Sequence, residues 1–414
     1  LNLEYFIAKR VQSSTAYKNS VSAPIIKIAI AAIAIGMIVM LITIASAVGL
    51  QRKIKEKVSA FNGHIGISLF DRNNSITTVK PISINQTFYP DFTAVPEVTH
   101  VQAVATLGGM IRTETDFEGV ILKGVGTDYN WEYFREFLIE GKLPDVTNEK
   151  TSKEILISDD IARRLQLKVG DKANTYFPRP NTSKAQPPIA RGFTISGIYD
   201  SGLEEYDTKF IIGDLRHIRK INKWKDDEVG KFEVFIDDFD QLDEVGIKVF
   251  RNTDSLLNAV TIKQQFPTIF SWLALLDSNV YIIIGVILVV GIINMITALL
   301  VLILERTRMI GILKSLGATD WTVRKIFLYN AMKLILNGLV IGNLIGLGLI
   351  AIQYFFSPLQ LDPATYYVTK APVYISWWNV VILNLGTFVL CLLVLMIPSY
   401  IVSKISPVKA MRFD

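Results

Sequence analysis

The sequence predicts an α-helical membrane protein of four transmembrane helices carrying a large extracytoplasmic α/β domain, and three observations predict it. Half of the 414 residues are hydrophobic and the mean hydropathy is +0.35, above that of an ordinary soluble chain. The excess is concentrated in four charge-free blocks, 28–50, 280–304, 334–356 and 376–403. Each is long enough to cross about 30 Å of hydrocarbon at about 1.5 Å per residue. Basic residues collect on one side of these blocks. Residues 1–27 hold Lys9, Arg10, Lys18 and Lys27 against Glu4; residues 305–327 hold Arg306, Arg308, Lys314, Arg324 and Lys325 against Glu305 and Asp320; residues 404–414 hold Lys404, Lys409 and Arg412 against Asp414. Such loops face the cytoplasm, so both termini are predicted inside and the long segment between the first two spans outside.

Taken in order, Leu3, Phe6, Ile7 and Val11 fall at helical spacing beside Lys9 and Arg10, which predicts a cytoplasmic amphipathic elbow helix within 1–27. The first span, 28–50, lacks a small-residue cleavage site and reads as retained. It continues as a stalk, with Ile54 and Val58 four apart, until Gly63 ends it. Alternation and turn signals then predict strands at 64–70, 75–82, 98–107, 119–125, 154–158, 193–199, 209–212 and 232–236, and helices at 134–139, 159–165, 215–221 and 240–250. Residues 256–262 suit either a helix or a strand. Residues 266–276 are apolar at helical spacing and lead into the second span, 278–304. In 305–327, Met309, Leu313 and Leu316 recur at helical spacing, Gly317 breaks the pattern, and Thr319 with Asp320 can cap a new helix. That stretch reads as two short helices with a tight turn. The third span, 328–356, a short outer loop, 357–375, the fourth span, 376–403, and a tail, 404–414, complete the chain.

Several chemistries find no support in these residues. His64, His100 and His217 make no metal-ligand spacing, and the Gly-Lys pairs at 141–142 and 230–231 lack the rest of a phosphate loop. No catalytic constellation or cofactor site is predicted in this chain, and no metal site. The only cysteine, Cys391, lies in the fourth span, so the outer domain is built without disulfides. The pI near 9.0 reflects membrane asymmetry, and with no aromatic-laced basic platform nucleic acid is not an expected partner. Asn294, Asn337, Asn343 and Asn384 are polar residues within the spans, with no ionisable group near a span centre, which argues against an ion-driven carrier. The asparagines read as interhelical glue, and Gly338, Gly342, Gly346 and Gly348 as small-residue packing faces. Energy must therefore come from elsewhere; a cytoplasmic ATPase in trans is the natural source expected, and 305–327 is the obvious place for it to dock. Outside the membrane, 177–192 holds four prolines without apolar periodicity and reads either as an ordinary surface loop or as a protruding hairpin offered to a partner.

One long outer insertion after the first of four spans, GILKSLGAT at 311–319, LDPATYYVTKAPV at 361–373, ISPVKAMR at 405–412 and EYFIAKR at 4–10 resemble the permeases of the lipoprotein-releasing ABC transporter, LolC and LolE, within the MacB/FtsX superfamily. The resemblance covers the whole chain. It implies mechanotransmission: two permease subunits pair, as homo- or heterodimer, above a cytoplasmic ABC ATPase dimer that uses ATP and Mg, and nucleotide-driven closure moves the stalks. The chain itself is then no enzyme. The resemblance places Arg308, Gly311, Lys314, Gly317, Ala318 and Thr319 in or beside a coupling helix. It divides the outer domain into a Porter-like part, 51–118 and 229–277, and an inserted β-rich Sabre-like part, 119–228. It puts a hook for a periplasmic LolA-like carrier at 177–192, with Phe177, Pro178, Pro180, Pro187, Pro188 and Arg191. The expected setting is the bacterial inner membrane, with lipoprotein as substrate and membrane lipids around it. Its acyl chains would enter past Ile35, Met37, Val39, Met40, Ile284, Val286 and Ile293. Export of peptides or drugs in the manner of MacB, and activation of cell-wall hydrolases in the manner of FtsX, stand as alternatives.

Overall fold

A computed structural model describes residues 4–7, 22–70, 80–179, 186–366 and 368–404. The helices that matter here are α1 (Ser22–Asn62), α2 (Asp159–Leu165), α3 (Leu215–Asn222), α4 (Leu242–Arg251), α5 (Pro267–Glu305), α6 (Thr307–Ser315), α7 (Asp320–Phe356) and α8 (Trp377–Ser399). The strands are β1 (Ile65–Leu69), β2 (Ile82–Ser83), β3 (Val98–Arg112), β4 (Phe117–Val125), β5 (Leu138–Gly141), β6 (Glu154–Ser158), β7 (Lys172–Phe177), β8 (Ile189–Tyr199), β9 (Phe210–Asp214), β10 (Glu228–Val229), β11 (Lys231–Ile236) and β12 (Leu257–Thr261). The chain forms two compact units, one of Leu1–Gln51, Trp272–Gln360 and Lys370–Asp414, the other of Arg52–Ser271 with Leu361–Thr369.

Among the described residues, four helices are long and apolar enough to cross a membrane, those containing 24–62, 267–305, 320–356 and 377–403. At 41 and 39 residues, α1 and α5 each measure about 60 Å, twice the hydrocarbon thickness. Close packing of α1 on α7 rests on glycine. A Cβ on Gly338 would lie 2.8 Å from Ile33, on Gly342 2.8 Å from both Ala34 and Met37, and on Gly346 2.9 Å from Leu41. Gly348, expected on the same small-residue surface, has nothing within 4 Å, because two residues beyond Gly346 turn it to the far side of α7. Asn343 and Asn384 exchange amide hydrogen bonds of 2.7 and 3.0 Å between α7 and α8, as interhelical glue requires. Asn337 is exposed and takes no such role.

The second unit is built on a ten-stranded sheet ordered β12-β1-β11-β3-β4-β9-β6-β8-β5, with β7 bridging β3 and β8. That bridge closes β3, β4, β9, β6, β8 and β7 into a barrel, while β12, β1 and β11 extend β3 as an open sheet. β3 serves both parts. Its start pairs β11 from Val98 to Val104, and its end pairs β4 and also, at Met110–Arg112, β7. The strand runs five residues past its predicted end at 107. Gly109 is required there, since a Cβ would lie 2.7 Å from the Phe177 ring that fills the barrel.

Other local readings held or shifted for identifiable reasons. β6 and α2 occupy the predicted residues, and the Ser158 hydroxyl caps α2 by accepting from the Ile161 amide. The helix expected over 134–139 is only the turn Glu132–Arg135, because Phe134 and Phe137 both point inward while the chain has already entered β5. The ambiguous 256–262 is largely a strand, β12. Most of the predicted strand 75–82, like ISPVKAMR at 405–412, lies outside the described residues.

His64, which links α1 to β1, carries a testable pH dependence. The Ile236 amide donates to its Nδ1 at 3.1 Å, and the rings of Phe235 and Phe239 lie 5.7 and 5.9 Å away. Burial pushes its pKa from 6.5 down to about 4. A folded pKa below the unfolded one leaves its contribution complete above pH 6.5, to be lost as pH falls through about 4. Asp207, raised to about 6 by burial, works in the opposite sense over part of that range, so the His64 effect is isolated against His64→Gln. Between pH 7 and pH 4 the wild type should lose about 3 kcal/mol more stability than this variant, read by denaturant titration of the detergent-solubilised chain. Equal losses in the two proteins would refute the assignment.

Candidate functional site

The corner between α5 and α7 is built by one break and one cap. Arg306 alone interrupts the helices between α5 and α6. At the other end of α6, Gly317 adopts φ +90°, its amide donates to Lys314 O at 3.0 Å, and the Ala318 amide donates to Leu313 O at 2.9 Å. This is the paired 5→2 and 6→1 pattern of a Schellman turn, which needs the left-handed residue that glycine supplies without strain. The Thr319 hydroxyl then accepts from the Thr322 amide at 3.2 Å, and Asp320 opens α7. The predicted turn and cap are therefore present. The second helix is not short, since it runs unbroken through Phe356: between Phe327 and Lys333 no glycine or proline stops it.

The corner divides into an inward and an outward face. Gly311 and Ile310 are buried, and Met309, Leu313 and Ala318 pack against the core of the unit. Lys314 also turns inward. Its ammonium donates to Val402 O at 2.8 Å and pairs with Asp320 at 2.8 Å, tying α6 to the end of the last helix and to the first turn of α7. Arg324 adds a second tie, its guanidinium stacking 4.6 Å from the Tyr400 ring. Outward lie Arg308, Gly317 and Thr319.

Leu316 departs from the predicted apolar stripe. As the C-cap it is rotated away from Leu313 and is 80% exposed, with Ile312 and Trp321 also exposed. Three apolar side chains and Arg308 are thus exposed along α6 and the start of α7. Sequence reading missed Ile312 and Trp321. An aromatic residue directly behind a helix cap, off the buried face of that helix, is the signal that could have found the second. Of the elbow segment, residues 4–7 are helical and lie on α7 through a Glu4–Lys325 ion pair of 3.5 Å and Tyr5 edge-on to Tyr329 at 5.8 Å.

In the second unit, β7 and β8 form an antiparallel hairpin in register from Lys172↔Thr194 to Phe177↔Ile189. The connection is thus 178–188, shorter than the predicted loop at both ends. Phe177 is not part of any exposed hook, being fully buried against Gly109 and Phe193 inside the barrel. Pro178, Pro187 and Pro188 are exposed, and Arg179 donates to Pro187 O at 3.0 Å across the base of the loop. Arg191 sits within β8, half-buried; Pro180 lies outside the described residues. A groove of about 530 Å³ floored by Gly108, Met110, Gly119 and Ile121 runs beside Tyr176 and Pro178 at the foot of this hairpin.

The residues expected to meet acyl chains do not share one surface. Ile35, Val39, Val286 and Ile293 are 40% or more exposed, and Ile284 is packed partly against the core. Met37 and Met40 are buried, because they belong to the stripe of α1, with Ile33 and Leu41, that faces the interior.

A family model described as the MacB-like periplasmic core domain matches residues 28–246, and one described as the FtsX-like permease C-terminal matches residues 281–407. The lipoprotein-releasing system transmembrane protein LolC of Xylella fastidiosa is 21% identical over 432 residues, covering 100% of this chain and 98% of its own. The corresponding LolE of Haemophilus influenzae is 21% identical, covering 99% of each. The solved extracellular domain of the noncanonic ABC-type transporter YknZ from Gram-positive bacteria aligns with a TM-score of 0.32 and 14% identity, covering 48% of this chain and 99% of that one.

Proposed function

This chain belongs to the family of ABC transporter permeases with a MacB-like periplasmic core and an FtsX-like C-terminal region, and from that membership we propose that it drives the release of lipoproteins from the inner membrane. Two copies, or this chain and a related one, pair over a separate cytoplasmic ATPase dimer that binds ATP and Mg. The observation that carries the coupling step is the outward corner of α6 and α7, where Leu316, 80% exposed, precedes the Gly317 turn and Ile312, Trp321 and Arg308 are exposed on the flanking helices. Closure of the ATPase pushes on this corner. α1 and α5, each about twice the bilayer in length, carry the displacement to the outer domain. There a lipoprotein is lifted from the outer leaflet and passed to a soluble lipid-binding carrier docked at the β7–β8 hairpin. Both termini face the cytoplasm on the charge distribution. Similarity along the full length to two lipoprotein-releasing proteins supports the choice of substrate.

Depletion of the protein from cells tests the reading. Mature lipoproteins should accumulate in the inner membrane, and a cytoplasmic ATPase should copurify with the chain in mild detergent. Unchanged lipoprotein distribution, together with copurified cell-wall hydrolases or an outer-membrane duct, would overturn it.

A further inference from the structure

α1 does not simply end at the outer domain; its last turn is held in a buried socket made by segments distant in sequence. The Phe61 ring is 2% exposed and packs on Tyr206, Phe134, Phe137 and Tyr199 at centroid distances of 4.5, 5.1, 5.8 and 5.9 Å. Asn62 donates to the Tyr206 hydroxyl and, at 3.1 Å, to Val58 O. The carbonyl of Phe61, left open by the end of the helix, accepts from the ammonium of Lys123 on β4. Lys123 is 2% exposed and Glu233 on β11 fully buried; they pair at 2.9 Å. Glu233 in turn accepts from Gln102 of β3 at 2.9 Å and pairs with Lys231 at 2.9 Å.

A buried ion pair is weak as a stabilising device, since desolvation offsets most of its attraction. Its specific feature here is position. The ammonium sits at the negative end of the helix dipole and is shared between the end of the stalk, the open sheet and the barrel. Burial lowers the Lys123 pKa to about 8 against the pull of Glu233, so the group still carries its charge at neutral pH.

We propose that Lys123 and Glu233 are positioning residues that fasten the end of α1 to β4 and β11 at once, so that a displacement of the stalk moves the barrel and the open sheet as one body. This rests on the coupling reading above, not on the nature of the substrate. The test uses the full-length protein, isolated with its ATPase from native membranes and carrying Cys391→Ser. Spin labels go on the exposed positions Phe117 of β4 and Arg52 of the stalk. Lys123→Met combined with Glu233→Gln removes both charges, keeps the side-chain volumes and leaves Gln102 an acceptor. Lys231→Met is the control, because it leaves the Phe61–Lys123–Glu233 link in place.

In the double variant, amide exchange over 59–64 should rise about tenfold, with the melting temperature nearly unchanged. The spread of the label distance should at least roughly double on ATP addition, while the wild type and Lys231→Met keep a narrow distribution. Unaltered exchange, or a distance distribution as narrow as that of the wild type under ATP, would overturn the proposal. If the double variant fails to fold, Lys123→Met alone at reduced temperature is read by the same exchange measurement, with the same two outcomes. Failure of the lipoprotein reading shows elsewhere, as normal lipoprotein release after depletion.

Discussion

On the proposed coupling, Gly317→Val should lower lipoprotein release severely while leaving the protein in the membrane. Valine at φ +90° meets the steric penalty of the left-handed region, about 1–2 kcal/mol for an ordinary residue and more for a β-branched one. Relief of that strain breaks the two hydrogen bonds of the Schellman turn and redirects Leu316 and the start of α7. Nothing lies within 4 Å of a Cβ at this position, so the effect is conformational and not a clash. Membrane abundance should stay within about twofold of wild type, with lipoprotein release lowered at least about tenfold, as expected when a positioning turn is lost by an ångström or so. Release at the wild-type rate would show that the turn has no part in coupling.

Gly342→Leu should do greater structural damage. Its first side-chain atom alone would lie 2.8 Å from Ala34 O and from the Met37 Cβ, both in the packed interior of α1. α1 and α7 must then separate, with loss of Met37, Leu41 and Leu339 contacts, a cost of the order of 3 kcal/mol or more by analogy with overpacked cores. Gly348→Leu on the same helix should be nearly silent, because that position faces open space. Heating the two variants in detergent and following aggregation separates them. If they melt together, the close approach of α1 and α7 is not what holds the bundle.

The contrast between these two glycines shows where sequence reading reached and where it stopped. Four apolar blocks, the stalk ending at Gly63 and the turn at Gly317 are local features, set by burial of apolar runs in lipid and by backbone freedom. So are β6 and α2, where alternation meets a Ser158 cap. Which of several glycines on α7 touches α1 is set by the phase of two helices, and composition does not carry it. Gly108 and Gly109 looked like a strand end, although a ring from residue 177 is what calls for glycine at 109. Barrel closure between Met110 and Tyr176 spans 66 residues of chain and leaves no short-range trace. At the corner between α6 and α7 the burial of two side chains was inverted for the same reason. Lys314 looked like a contact residue but is fixed to Val402, Ser403 and Asp320, while Leu316 looked like core and faces out.

The double membership of β3 also bears on how such a protein can diversify. A strand paired to β11 at one end and to β4 and β7 at the other cannot be exchanged, shortened or shifted in register without unzipping both halves of the domain. Change is more easily borne where the chain leaves the paired strands, as just beyond Phe177 and just before Ile189, where Pro178, Pro187 and Pro188 are exposed and the register of the arms is already set.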